Sequence, residues 1–264
     1  MTTNNNHELY AEVPRESAKI HQAIVLMLDS SSSMLAKAED GRTKADIVLQ
    51  CVKKLKDIEL SESEKAAIDI CIMSFDDEVR VLQDWIPLSD FDGEEIEYNC
   101  DGCTALSDAI IQSIDATRKR RGTYSKNGIT AKRAQIFLWT DGASTQDMAP
   151  AIERCNEYLC REDPSPSCKL NVILVPPAVD PTEIMKLGKS VAIFGVQDCA
   201  NGIPASFEFL EGTIVAWSQS APGQEIVVNA DEMRFIDGYG GVEKRENGGA
   251  TVVDKNDIDQ LWSK

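Results

Sequence analysis

The sequence predicts a doubly wound α/β fold, with a mostly parallel sheet and one antiparallel edge strand, on three observations. Short continuous apolar runs, the mark of strands buried on both faces, alternate with stretches whose apolar residues recur at helical spacing. Two early apolar runs are joined by a turn too short for a crossover, so they form a hairpin. Fragments rich in Asp, Ser and Thr follow directly on the strands, where ligands bind in such folds.

The first strand is placed at residues 21–28 (HQAIVLML), continuously apolar and therefore central. A helix follows at 43–58, with Ile47, Val48, Cys51, Val52, Leu55 and Ile58 on one stripe. Residues 66–75 and 78–86 form the hairpin, with Asp76 and Asp77 at its tip. A helix at 104–121 ends in Arg118-Lys119-Arg120-Arg121, where the basic charges complement the helix dipole. Ala134–Thr140 (AQIFLWT) is a second buried strand, followed by a helix around 147–160 that admits Pro150 in its first turn. Residues 161–167, with Pro164 and Pro166, form a solvated connection. A strand at 169–175, a short helix at 181–187, the last strand of the sheet at 190–195 and a helix at 206–217 complete the pattern. Phe207, Leu210, Ile214 and Trp217 share one face of that final helix.

Three segments result: an N-terminal extension at 1–20, the α/β domain at 21–220 and a C-terminal extension at 221–264. In the last, Gly238-Tyr239-Gly240-Gly241 and Asn247-Gly248-Gly249 punctuate short β-like pieces, and 256–262 suits a final helical turn. This extension is expected to pack on the domain.

A chain of 264 residues buries a full core at the upper end of one domain. Its 42% hydrophobic and 27% charged residues are ordinary for a globular protein. No apolar run approaches the roughly 18 residues of a membrane span. Residues 1–20 are polar and mixed in charge, unlike a secretory signal, so a cytoplasmic location is expected. The eight cysteines are then expected to be reduced. Cys100 and Cys103 are spaced like half a zinc site, but no matching pair follows, and His7 and His21 lie far off in sequence. A net charge of −17 argues against nucleic-acid binding, which needs basic surface to neutralise phosphates.

Candidate chemistry lies in three fragments. Asp29-Ser30-Ser31-Ser32-Ser33-Met34 follows the first strand, Asp101-Gly102-Cys103-Thr104-Ala105-Leu106 opens a helix, and Thr140-Asp141-Gly142 ends the strand AQIFLWT. If the two most apolar strands are neighbours, Asp29 and Asp141 meet at the crevice and Thr104 reaches them from the adjoining loop. Two carboxylates and three hydroxyls are hard oxygen donors of the kind Mg²⁺ or Mn²⁺ prefers. At most two formal negative charges face the cation; if one carboxylate acts through water, the metal keeps net positive character and an open position that attracts an acidic group from outside. Each fragment alone has a plainer reading: a serine-rich turn, an Asp-Gly turn, or Thr104 as a helix cap.

Asp29-x-Ser31-x-Ser33, Gly102-x-Thr104 and Thr140-Asp141-Gly142 together resemble the metal-ion-dependent adhesion site of von Willebrand factor A domains. The resemblance implies a Rossmann-like fold at 21–220 and metal contacts from Ser31, Ser33 and either Thr104 or Asp141. Asp29 and the remaining residue would then act directly or through water. It also implies a partner protein whose acidic residue completes the metal shell. Over roughly 20–225 the chain is similar to the bacterial TerY type, notably at 118–147 and 206–223. That type is linked to tellurium resistance and stress and often accompanies a protein kinase and a phosphatase, which implies an adaptor. Ser32 and Cys103 stand where the family often has Gly, and a left-handed backbone at Ser32 would cost about 1 kcal/mol.

An enzyme is the competing reading, for instance a metal-dependent phosphohydrolase, but no base or nucleophile accompanies the three fragments. A phosphate-binding loop fails as well: Gly188-Lys189-Ser190 ends like one, yet Glu183 stands where its first Gly belongs. A third reading keeps the fold without metal, although all five oxygen-bearing residues are present.

Overall fold

A computed structural model describes residues 20–141, 144–159, 168–176, 182–188, 191–220, 233–236 and 251–253. In chain order the elements are β1 (Ile20–Asp29), α1 (Lys44–Lys54), α2 (Glu62–Lys65), β2 (Ile68–Phe75), β3 (Val79–Pro87), α3 (Leu106–Lys126), β4 (Thr130–Ala131), β5 (Ala134–Thr140), α4 (Ala149–Tyr158), β6 (Cys168–Leu174), α5 (Thr182–Met185), β7 (Val191–Val196), α6 (Gly202–Gln219), β8 (Met233–Ile236) and β9 (Thr251–Val253). They build one sheet in the order β3-β2-β1-β5-β6-β7-β8-β9, with β4 on β1. Strands β2, β1, β5, β6 and β7 run parallel, and β3 is the expected antiparallel edge strand on β2.

Alternation along β1 shows why this sheet needs helices on both faces. Ile24, Leu26 and Leu28 join Ile47, Val48 and Val52 of α1 and Phe207, Leu210 and Ile214 of α6 in one core layer. Val25 and Met27 point the other way, into a second layer with Ile110 and Ile114 of α3, Cys155 of α4 and Ile184 of α5. The apolar stripe read for 43–58 is thus inward-facing. α1 starts at a capping box between Thr43 and Asp46 and tightens into a 3₁₀ turn at Leu55–Asp57.

Some boundaries move. α3 does not stop at Arg121 but runs to Lys126, because Tyr124 is buried against β2; Gly128 then turns the chain at φ +69°. The basic run therefore lies inside the helix, and Arg120 is buried rather than complementing the helix end. β7 is not the last strand: β8 pairs with it antiparallel and β9 pairs with β8 in parallel, so the segment 221–264 adds strands to the same sheet. The connection at 161–167 and the helical turn at 256–262 lie outside the described residues, as does nearly all of 1–20. Among the described residues, no helix is long and apolar enough to cross a membrane.

Candidate metal centre

From β1 the chain winds to β2 on one side, while β5 lies on the other, so the winding reverses between β1 and β5. Leu28 pairs with Trp139 in that register, which brings the carboxyl ends of the two strands level. The two strand ends are joined there: the Thr140 hydroxyl donates to Asp29 Oδ2 at 2.7 Å. Asp29 Oδ1 accepts the Ser31 amide at 2.9 Å. The Ser31 and Ser33 hydroxyl oxygens lie 2.9 Å apart, brought to the same side by the 3₁₀ turn at Ser32–Leu35.

The loop before α3 is laced to this rim through its backbone. Asp101 N–H donates to the Ser30 carbonyl at 2.9 Å, and the Ser32 amide and hydroxyl donate to the Gly102 carbonyl at 3.3 and 3.0 Å. The hairpin tip between β2 and β3 holds the other flank. Cys103 N–H donates to Asp77 Oδ1 at 3.0 Å and Ala105 N–H to the Asp76 carbonyl at 2.6 Å. Gly102 sits at φ +67°, where a Cβ would come within 2.6 Å of Asp77 Oδ2, so this turn requires glycine. Thr145, beyond Asp141, donates both its amide and its hydroxyl to the Thr104 carbonyl at 3.1 Å. Four loops therefore converge on the ends of β1 and β5.

Thr104 is not a helix cap. The N-cap of α3 is Ala105, which offers no side-chain bond, and the largely buried Thr104 hydroxyl makes no hydrogen bond among the described residues. The strain expected at Ser32 does not arise either: among the described residues only glycines have positive φ, and Ser32 lies within the 3₁₀ turn.

Charge accumulates at this rim. Burial pushes the Asp29 carboxyl up to about 6; hydrogen bonds from Ser31 and Thr140 oppose the rise and the nearby Asp141 adds to it. Two buried carboxylates side by side, with hydroxyls around them, form a place where a small hard cation would relieve repulsion. Among the described residues no group of three or more His, Cys, Asp or Glu is arranged for a metal, and Cys100 and Cys103 are free thiols. The oxygens of Asp29, Ser31, Ser33, Thr104 and Asp141 are instead a donor set suited to Mg²⁺ or Mn²⁺.

Three contributors are absent from the sequence reading. Tyr98 donates its hydroxyl to the Asp29 carbonyl, and Asp77 braces the Gly102 turn. Lys44, at the first position of α1, is buried with its Nζ 3.9 Å from Asp141 Oδ2. Only the Asp-Asp hairpin tip carries a sequence signal. A lysine behind a threonine cap reads as a solvated first-turn residue.

No protein-family model matches the chain, and no curated protein sequence matches it. Solved structures do. A point variant of the PilB minor pilin from Streptococcus sanguinis is similar at a TM-score of 0.53 and 14% identity, over 76% of this chain and 64% of that one. The pilus adhesin SpaC from Lactobacillus rhamnosus GG is similar at 0.56 and 11%, over 74% of this chain and 31% of that one. The ArnB paralog VWA2 from Sulfolobus acidocaldarius matches at 0.44 and 19%, over 71% and 44%, a likeness too loose to carry weight. The chain thus spans less than two thirds of each of these proteins, and at such identities the first two share its fold alone.

Proposed function

We propose that this chain is a von Willebrand factor A-type binding module that holds one Mg²⁺ or Mn²⁺ and docks a protein partner through it. The observation that carries the reading is the convergence of separate loops on the switch point, bearing Asp29, Ser31, Ser33, Thr104 and Asp141 in the spacing of a metal-ion-dependent adhesion site. Ser31 and Ser33 would offer neutral hydroxyl oxygens, Thr104 an uncommitted one, and Asp141 a carboxylate. Asp29, with a hydrogen bond on each oxygen, suits a role through water. When bound, the cation supplies an electrophilic position that an outside carboxylate can fill. Neutral hydroxyls around it leave its charge incompletely offset, which favours an acidic group from a partner.

Binding rather than catalysis is the reading because no histidine accompanies the donors and both oxygens of Asp29 are already engaged. His21 lies at the opposite end of β1, and the four loops contain no histidine. The likeness to the TerY type supports an adaptor in a bacterial stress, defence or phospho-signalling complex, alongside a kinase and a phosphatase.

Thermal unfolding in chelator and in Mg²⁺ or Mn²⁺ tests the reading. Metal at 100 times its Kd should add about 2.7 kcal/mol of stability by linkage. Asp141→Ala should lose that increment while keeping a native circular-dichroism spectrum. A wild-type protein whose melting point ignores millimolar metal would rule the site out.

A further inference from the structure

A buried cation stands at this rim, apart from the half-exposed Arg80 that pairs with Asp76 on the hairpin flank. Lys44 is 2% exposed, among the largest fully buried side chains of the protein. Such burial of a lysine is rare unless the charge is paired. Its position is doubly unfavourable, since the first turn of a helix is the positive end of the dipole and repels an ammonium. The backbone offers a solvent-facing alternative on α1, where Lys53 and Lys54 complement the other end. Lys44 is instead tied in place, its amide donating to the Ala36 carbonyl at 3.1 Å in the loop that follows Ser33. Its Nζ lies 3.9 Å from Asp141 Oδ2, within ion-pair range but too long for a hydrogen bond. The ammonium thus acts on Asp141 by charge rather than by a directed bond.

We infer that Lys44 is a built-in competitor for the metal: its ammonium serves as counter-cation to Asp141 in the metal-free protein and repels the incoming divalent ion. The inference rests on the metal reading above and adds a regulatory residue to it. Against the two donor carboxylates, Asp29 and Asp141, a divalent ion alone is balanced, and Lys44 adds one positive charge to that set. Lysine therefore weakens the hold on the metal and increases the pull on a partner's carboxylate. A chain with an apolar residue at this position would bind metal more tightly and present less positive charge.

The test is titration calorimetry with Mg²⁺ and with Mn²⁺ on the wild type, Lys44→Met and Lys44→Arg, with melting points in chelator. Lys44→Gln replaces the methionine variant if the latter does not fold. Removal of a charge this close should tighten metal binding on the order of tenfold, and Lys44→Arg should stay near wild type. In chelator the neutral variant should melt below wild type, because Asp141 loses its counter-charge. A wild type that binds metal alongside a neutral variant of equal or weaker affinity would overturn the inference and leave the metal site standing. Equal tightening by the arginine variant would overturn it as well, since shape and not charge would then matter. If neither wild type nor neutral variant binds metal, the inference and the metal site fall together.

Discussion

Asp29 is a carboxylate almost sealed from water, with Oδ1 held by the Ser31 amide and Oδ2 by the Thr140 hydroxyl. Burial lifts its carboxyl from an ordinary 3.8 to about 6. A carboxyl raised on folding stabilises the native state below its unfolded value, and that stability is lost as the pH climbs through the folded value. In chelator, therefore, the protein should lose roughly 2–3 kcal/mol from this group between pH 4 and 7. Asp29→Asn should flatten that part of the profile, as measured by urea unfolding of both proteins across the range. Parallel profiles would mean that Asp29 ionises as it does in the unfolded chain. The proposed donor residues stand out in the sequence because each abuts a strand or helix boundary, where pattern and chemistry coincide. Lys44 does not: whether a long amphipathic side chain snorkels out or turns inward depends on the loop beneath it, here residues 36–43. The strain expected at Ser32 was misplaced for a similar reason, since the 3₁₀ turn is held by Gly102 from a loop 70 positions away.

At the scale of elements, α3 joins the site to the far end of the sheet. Its first residues follow Thr104, and near its last turns Arg120 and Tyr124 meet Asp69 at the start of β2. Arg120 Nη2 lies 2.9 Å from Asp69 Oδ2 with both side chains buried, and His21 Nδ1 lies 3.5 Å from the same oxygen. Burial alone would raise the Asp69 carboxyl, but His21, Arg120 and Tyr124 more than reverse it and hold it below the usual range. Asp69→Ala leaves a guanidinium buried without that counter-charge and should cost about 3–5 kcal/mol. Arg118→Ala, an exposed change beside it that loses the stack on Tyr158 and a 3.5 Å pair with Asp115, should cost under about 1 kcal/mol. Urea midpoints compare the two; similar losses would mean that the Asp69 pair is open to water. This buried pair also explains why α3 outran its sequence boundary. Arg-Arg-Gly reads as a polar helix end, yet an inward Arg120 and Tyr124 make the next turn part of the core. The mostly parallel sheet and its antiparallel edge hairpin were legible from the alternating apolar runs and the short turn between 75 and 78. The strands β8 and β9 were only hinted at, because four and three residues carry too little periodicity to be assigned without the sheet edge they join.

For the whole molecule, the net charge of −17 shapes what can approach the rim. A field of that sign disfavours acidic partners at long range, so docking of a carboxylate depends on positive charge concentrated at one place and on contact once there. The described surface offers such a contact. Leu35 is 53% exposed, the only large hydrophobic residue so exposed among the described residues, and it lies two positions after Ser33. An exposed leucine so near Ser33 in sequence gives the proposed partner an apolar surface to bury. Two changes to the partner complex should then separate the contributions. Chelator should abolish binding to a partner captured in Mg²⁺, because the acidic group loses its anchor. Leu35→Ser should weaken binding by about 1.5–3 kcal/mol, the value of burying a leucine, and adds no charge that would alter the Mg²⁺ affinity of the free module. Surface plasmon resonance against the captured partner, with calorimetry for the metal, gives both readings. Binding that persists in chelator, or that ignores Leu35→Ser, would move the docking surface to another face of the sheet.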